Sequence, residues 1–205
     1  MLRRAGGGHP QVGGRDMEPV RQAKRALRTQ VLAARRTAPR GNAGEGARHL
    51  APLLMEITTV AGYLALPGEA ELDLEGGERR VLLPRLLVDG DLAWVRLSPG
   101  GARLGPGLRG TREPLGPPDP EGLAAADLVV VPALAVDRTG VRLGRGGGSY
   151  DRALRQVRPG VLVVAVLARD DELVERLPVE PHDAAVGAVV TPSGLIRLPM
   201  ASARG

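Results

Sequence analysis

Apolar and polar positions change period several times along the chain. Val20, Ala23, Leu27, Val31 and Ala34 recur at three- and four-residue steps and predict a helix from Pro19 to about Thr37 with one narrow apolar stripe. At about 100° per residue, Lys24, Arg28 and Arg35 fall along one border of that stripe, where a cation emerges at the seam between helix and core. That seam is a good place to reach a ligand, although a lone arginine there more often snorkels over a solvated edge. Asn42 to Glu56 predicts a second helix, interrupted by Pro52. Thr58 to Leu66 reads as a strand ending at the Pro67-Gly68 turn, and Arg80 to Leu83 and Leu92 to Leu97 as two more, with Trp94 a packing residue. Asp127 to Val131 and Val161 to Leu167 are continuous apolar runs, the pattern of strands buried on both faces. Asp170 to Leu177 predicts a short helix and Ala188 to Thr191 a short strand, whereas Ser98 to Pro120 carries too much Gly and Pro for regular structure. Alternation of strand and helix predicts an α/β fold: a mostly parallel central sheet with helices on both faces, three layers in all, and ligand loops at the strand carboxyl ends. The pattern assigns residues 1–18 to a disordered glycine-rich extension, 19–200 to a single domain and 201–205 to a tail.

The stretch Arg142-Leu143-Gly144-Arg145-Gly146-Gly147-Gly148-Ser149-Tyr150-Asp151-Arg152 breaks every period around it. Glycines let successive backbone N–H groups encircle an anion, and arginines beside them add forked, charge-assisted hydrogen bonds. Ser149 is placed to cap a following helix, in which Tyr150, Ala153, Leu154 and Val157 recur at helical spacing. Asp151 then falls in the first turn, where a carboxylate serves either the helix end or a divalent cation beside phosphate; position alone leaves both open. The loop lacks the Gly-Lys-Ser/Thr ending of a P-loop, the third glycine of a dinucleotide fingerprint and the closing glycine of a nucleophile elbow. In a chain with 29 glycines, the plain alternative is a flexible surface turn.

Composition narrows the classes. Only Tyr63, Trp94 and Tyr150 are aromatic and Phe is absent, so Leu, Val and Ala must build the core. The formal charge of +5 comes from 28 basic residues spread along the chain, of which Lys24 is the single lysine. A basic RNA-binding protein is one class compatible with that charge, but scarce aromatics and missing RNA-binding motifs argue against it. Without cysteine there is no disulfide, thiolate metal site or cysteine nucleophile. The longest apolar run, Val161 to Ala168, falls far short of the roughly 20 residues that cross a bilayer, and no signal peptide is visible. A cytoplasmic protein with no membrane partner is the expectation.

The segment from Asp127 through Pro132, Asp137, Gly140 and Arg142 to Asp151 resembles the signature region of the 5-formyltetrahydrofolate cyclo-ligase (methenyltetrahydrofolate synthetase) family. Lys24 to Arg28, Tyr63 to Glu69, Leu83-Pro84-Arg85 and Glu113-Pro114 join it in the family's order, so the resemblance runs from about Lys24 to Pro192. It implies an ATP- and Mg2+-dependent enzyme of one-carbon metabolism that converts 5-formyltetrahydrofolate to 5,10-methenyltetrahydrofolate and releases ADP and phosphate, acting as a monomer or weak homo-oligomer. It further implies that Lys24, Arg25, Arg28, Arg142, Gly144, Arg145, Gly146, Gly147, Gly148, Ser149 and Tyr150 bind ATP. Leu64, Glu69, Arg145, Gly147, Gly148 and Ser149 would contact the folate, Asp151 the magnesium, and Lys24 and Arg145 would act in catalysis. Taken alone, Glu69 and Glu71 are carboxylates of a solvated turn; the resemblance makes Glu69 a pterin partner.

Three departures from the family pattern carry expectations. Gly187 stands where an aspartate associated with magnesium is expected, which opens the alternative of a catalytically weakened nucleotide- or folate-binding homologue and predicts that Gly187→Asp tightens magnesium. Val136 replaces a usual Phe and Leu72 a common Thr, loosening the folate pocket. Ser149 replaces the first tyrosine of a Tyr-Tyr-Asp form. Lys24 and Arg145, set on borders, are expected to matter for ATP use far more than for stability.

Overall fold

The computed structural model describes residues 17–37, 48–74, 78–97, 101 and 103–199. Helix α1 (Glu18–Thr37) is followed by a 3-10 turn (Arg48–Leu50) running into α2 (Ala51–Leu54), then β1 (Thr59–Ala61), β2 (Arg80–Leu86), β3 (Leu92–Arg96), β4 (Leu104–Pro106) and β5 (Arg112–Pro114). After these come β6 (Leu128–Pro132), β7 (Ala135–Asp137), β8 (Arg142–Leu143), α3 (Ser149–Ala153), β9 (Leu162–Val166), β10 (Leu173–Val174), β11 (Ala188–Thr191) and β12 (Gly194–Arg197). Seven strands form the central sheet in the order β12-β11-β9-β6-β1-β2-β3. β11, β9, β6, β1 and β2 are parallel neighbours, and the hairpin partners β12 and β3 close the two edges antiparallel. The expected mostly parallel α/β sheet is the observed one.

The apolar runs split their side chains by parity, as a two-sided sheet requires. Val129, Val131, Ala165 and Val189 join one core with Trp94, Leu123, Ala153 and Leu154, while Leu128, Val130, Val164 and Val190 join the other with Leu50, Leu54 and Tyr63. The long helix covers neither face. Leu27, Val31 and Leu32 of α1 pack instead on Leu134, Ala135, Leu143 and Leu177 over a three-stranded sheet ordered β10-β7-β8.

Several local expectations are corrected. The strand expected to run to Leu66 ends at Ala61; Gly62 still donates to the Leu82 carbonyl (2.9 Å), and the chain then leaves the sheet to let the Tyr63 hydroxyl donate to the Ala70 carbonyl (2.7 Å). Pro52 begins α2 rather than breaking it, because a residue in the first helical turn needs no N–H partner; the first part of the expected helix, 42–47, lies outside the described residues. The segment 98–120 contains the β4–β5 hairpin, tightened by a 3-10 turn at Leu108–Gly110. The helix expected over 170–177 is one 3-10 turn followed by β10, since Glu172 turns its carboxylate back to the N–H groups of Ala168 and Arg169 and Leu173-Val174 pair with β7. Of the two tails, only Met17 and Glu18 fall among the described residues.

Candidate active site

A cavity of about 340 Å3 opens where β1, β2 and β6 end. Leu64, Leu66, Pro84, Leu86, Pro132 and Leu134 give it an apolar floor, while α1, the glycine loop, the β4–β5 hairpin and residues 180–183 supply charged walls. This is the carboxyl edge of the parallel sheet, where strand ends splay and leave room for a ligand.

The glycine loop leaves β8 with its backbone wrapped round Arg142. A Cβ on Gly144 would lie 2.8 Å from Arg142 Nη1, so any side chain there displaces the guanidinium. Arg142 is buried and donates from Nη2 to Asp151 Oδ1 (2.9 Å) and from Nη1 to the Pro132 carbonyl (3.2 Å), and its guanidinium lies 5.6 Å from the Tyr150 ring centre. One side chain thus ties the end of β6 to the start of α3. Gly148, in the left-handed region (φ 68°), is the residue that caps α3, and Ser149 is already helical, which corrects its expected capping role. Burial, reinforced by the Glu69 carboxylate, pushes the Tyr150 hydroxyl well above its ordinary range, so it stays protonated at neutral pH.

Two ion pairs join segments remote in sequence. Arg145 Nε donates to Glu69 Oε1 (2.7 Å), and Glu69 Oε2 accepts from Leu66 N (3.0 Å). Glu69 is therefore a buried, hydrogen-bonded carboxylate rather than part of a solvated turn. Lys24 is buried on α1; its ammonium donates to Asp183 Oδ1 (2.7 Å) and Glu180 Oε2 (3.1 Å). Glu180 is held below the ordinary glutamate range, first by the Arg21 hydrogen bond and then by Lys24, against the opposing effect of burial. Glu180, His182 and Asp183 present ligand atoms within 4.8 Å of one another, with the ammonium seated on two of them.

Lys24, Arg28, Leu64, Glu69, Arg142, Asp151 and every expected residue from Gly144 to Tyr150 line this one cavity. Arg25 does not: it pairs with Glu18 on the solvent side of α1, both exposed. Arg35, on the same border as Lys24 and Arg28, is buried in a forked pair with Glu172 (2.6 and 2.7 Å) and donates to the Ala133 carbonyl, which makes it a packing cation. Gly187 also lies outside the cavity, just before β11 at the amino end of the parallel strands; a Cβ there would stand 2.9 Å from Leu162 Cδ1. The expectation that Gly187→Asp tightens magnesium is corrected, and with it goes the ground for the weakened homologue. Residues 180–183 and the hairpin residues Arg109, Thr111 and Arg112 were not singled out as site residues. His182 and Asp183 lie a few residues before Gly187, inside the stretch that resembles the family, whereas the hairpin sits in a Gly/Pro stretch with no periodic signal.

Fold and cavity together define a class: an α/β protein with an arginine-flanked glycine loop at the carboxyl edge of its sheet, beside an apolar recess. The model of the 5-formyltetrahydrofolate cyclo-ligase family matches residues 20–192, and the chain belongs to that family. It is 42% identical over 194 residues to the 5-formyltetrahydrofolate cyclo-ligase of Mycolicibacterium smegmatis, covering 86% of this chain and 98% of that one. Against the Escherichia coli K12 enzyme of the same name it is 34% identical over 149 residues, 69% of this chain and 82% of the relative. The structure of Aquifex aeolicus 5,10-methenyltetrahydrofolate synthetase superposes with a TM-score of 0.68 at 28% identity, covering 89% of this chain and 96% of the other. The Mycoplasma pneumoniae synthetase superposes at 0.63 over 82% and 98%, and at 19% identity it speaks to the fold alone.

Proposed function

We propose that this protein converts 5-formyltetrahydrofolate to 5,10-methenyltetrahydrofolate using ATP and releasing ADP and phosphate. The observation that carries the reading is the convergence on one cavity of residues from α1, the β1 exit, the glycine loop and the 180–183 segment, joined by the Arg145–Glu69 pair. A formamide oxygen is a poor leaving group until phosphorylated, so the protein's tasks are to align the γ-phosphate, neutralise charge in transfer and hold N10 near the activated carbon. Arg28, donating to the Gly144 carbonyl at 2.8 Å, sets the glycine loop against α1, and the loop's N–H groups seat phosphate. Arg145 stands between phosphate loop and folate pocket, held there by Glu69. In that reading the apolar floor from Leu64 to Leu92 takes the pterin, and Glu69 bears on its N–H donors through the carboxylate that also holds Arg145.

Magnesium suits an oxygen donor set with room for water and phosphate. Asp151, at the cavity wall and oriented by Arg142, would hold it; the Glu180–Asp183 pair already carries the Lys24 ammonium. The ion would neutralise phosphate charge. The test is the rise of methenyl absorbance when protein, 5-formyltetrahydrofolate and Mg-ATP are mixed, with an ATP-free control. ATP-dependent product is expected, and its absence from folded protein that still binds ATP would overturn the proposed reaction.

A further inference from the structure

The β4–β5 hairpin holds a cation that the reading above leaves unused. Arg109 sits at its tip with φ 57° and ψ 27°, and among the described residues it is the single non-glycine residue in the left-handed region. An arginine is strained there in a way that glycine is not, and Gly110 beside it takes a similar φ of 74°. The turn enforces this conformation: Gly107 donates to the Thr111 carbonyl (2.8 Å), and Thr111 donates to the Leu108 carbonyl from both N (3.2 Å) and Oγ1 (2.6 Å). The strained tip brings its guanidinium to the cavity wall beside the glycine loop. Nη1 of Arg109 lies 4.0 Å from the point a Cβ on Gly147 would occupy, and Arg28 approaches the neighbouring glycine from the α1 side, its Cζ 3.3 Å from the Cβ point of Gly146.

Charge separates these two guanidiniums, together with the exposed Arg112 of β5, from Lys24, Arg142 and Arg145 in the same cavity. Lys24, Arg142 and Arg145 each face a carboxylate, in Asp183 and Glu180, Asp151 and Glu69. Arg28 donates to a backbone carbonyl only, and among the described residues Arg109 has neither a hydrogen-bond nor an ion-pair partner. A pair of guanidiniums without acidic partners, one from α1 and one from the hairpin, converging on consecutive glycines, is complementary to a tetrahedral polyanion.

We propose that Arg109 binds the transferring phosphate, closing with Arg28 a two-sided clamp over Gly146 and Gly147; this rests on the ATP-dependent reading above. In the transfer, a lone pair of the formyl oxygen forms the new O–P bond while the bond from the γ-phosphorus to the β–γ bridging oxygen breaks, and ADP leaves with that electron pair. Charge spreads over the three equatorial oxygens, and Arg109 donates N–H hydrogen bonds to them. Strain at the tip is then the cost of aiming a cation that a relaxed turn would point elsewhere.

Arg109→Gly tests this because its two effects have opposite signs. Glycine relaxes the left-handed turn, so the melting temperature of the full chain is expected to rise. At the same time kcat/KM for ATP falls by about 100-fold, and calorimetric affinity for a non-hydrolysable ATP analogue drops while affinity for AMP, which lacks the transferring group, is kept. Arg109→Lys restores part of the affinity as a point charge. Unchanged affinity for the ATP analogue per folded molecule in Arg109→Gly overturns the proposal, whatever the melting temperature does. If the unsubstituted protein bound the analogue through Arg109 yet made no methenyl product, the clamp would stand and the cyclo-ligase reading would fall.

Discussion

At the residue scale, burial decides what a cation can do. Lys24 was expected to matter for ATP use with little bearing on stability, but its ammonium is enclosed by Glu180 and Asp183 with only 4% of the side chain exposed. Lys24→Ala leaves two buried carboxylates short of a partner, and a loss of about 3 kcal/mol is expected by chemical denaturation, in addition to any loss of turnover. A change below about 1 kcal/mol would mean that water readily replaces the ammonium. Arg142 illustrates the same rule for position. It reaches Asp151, Pro132 and Tyr150 at once through a planar fork, geometry that a lysine cannot copy. Arg142→Lys is expected to lower turnover about 10- to 100-fold and to raise the magnesium requirement, as loss of a ligand-orienting partner does; an unchanged magnesium titration would remove Asp151 from the ion's shell.

At the element scale, the turn between β7 and β8 shows how much a short hairpin rests on one side chain. Asp137 is fully buried, accepting at Oδ1 from Thr139 N, Thr139 Oγ1 and Val141 N and at Oδ2 from Leu177 N. The Asp137-Arg138-Thr139-Gly140 stretch is therefore the hinge that delivers the glycine loop, and Gly140 (φ 89°) passes so near Val186 that an added Cβ would meet its carbonyl oxygen at 2.4 Å. Gly140→Ala is expected to cost at least about 2 kcal/mol from the combined strain and clash. Gly144→Ala, whose Cβ would meet only the movable end of Arg142, should fold nearly as well and lose activity instead. Thermal melts beside ATP titrations of the two variants check that contrast. The glycine loop was legible as a break in period; β7, β8 and β12 were not, since two to four residues leave too short a pattern to read unless, as in β11, they include a β-branched apolar run.

At the scale of the whole molecule, carboxylates stitch the sheet's periphery and make it acid-sensitive. Asp127, held low chiefly by the Thr58 hydroxyl, and Asp170, held low chiefly by Thr191, join Glu180 in having depressed folded-state values. Each contributes stability that is complete above its unfolded value of about 4 and is lost as pH falls through the folded one. Melting temperature is expected to hold from pH 7 to about 5 and to decline below about 4, with Glu180→Gln shallower in that decline than the parent. Among the described residues, no helix is long and apolar enough to cross a membrane.

What the sequence determined by itself was everything carried by neighbours along the chain: the parity of the buried strands, the stripe of α1, the glycine loop and the family to which it belongs. These signals act over a few residues, through side-chain period and the conformational freedom of glycine. Only the tertiary structure decided which cations line the cavity and which carboxylates they meet. Lys24 and Asp183 are 159 residues apart and Arg145 and Glu69 are 76 apart, while Arg25, Arg28 and Arg35 share one helix yet meet solvent, the glycine loop and a buried glutamate. Such pairings follow from how seven strands order themselves and where α1 comes to rest, and no local pattern encodes them.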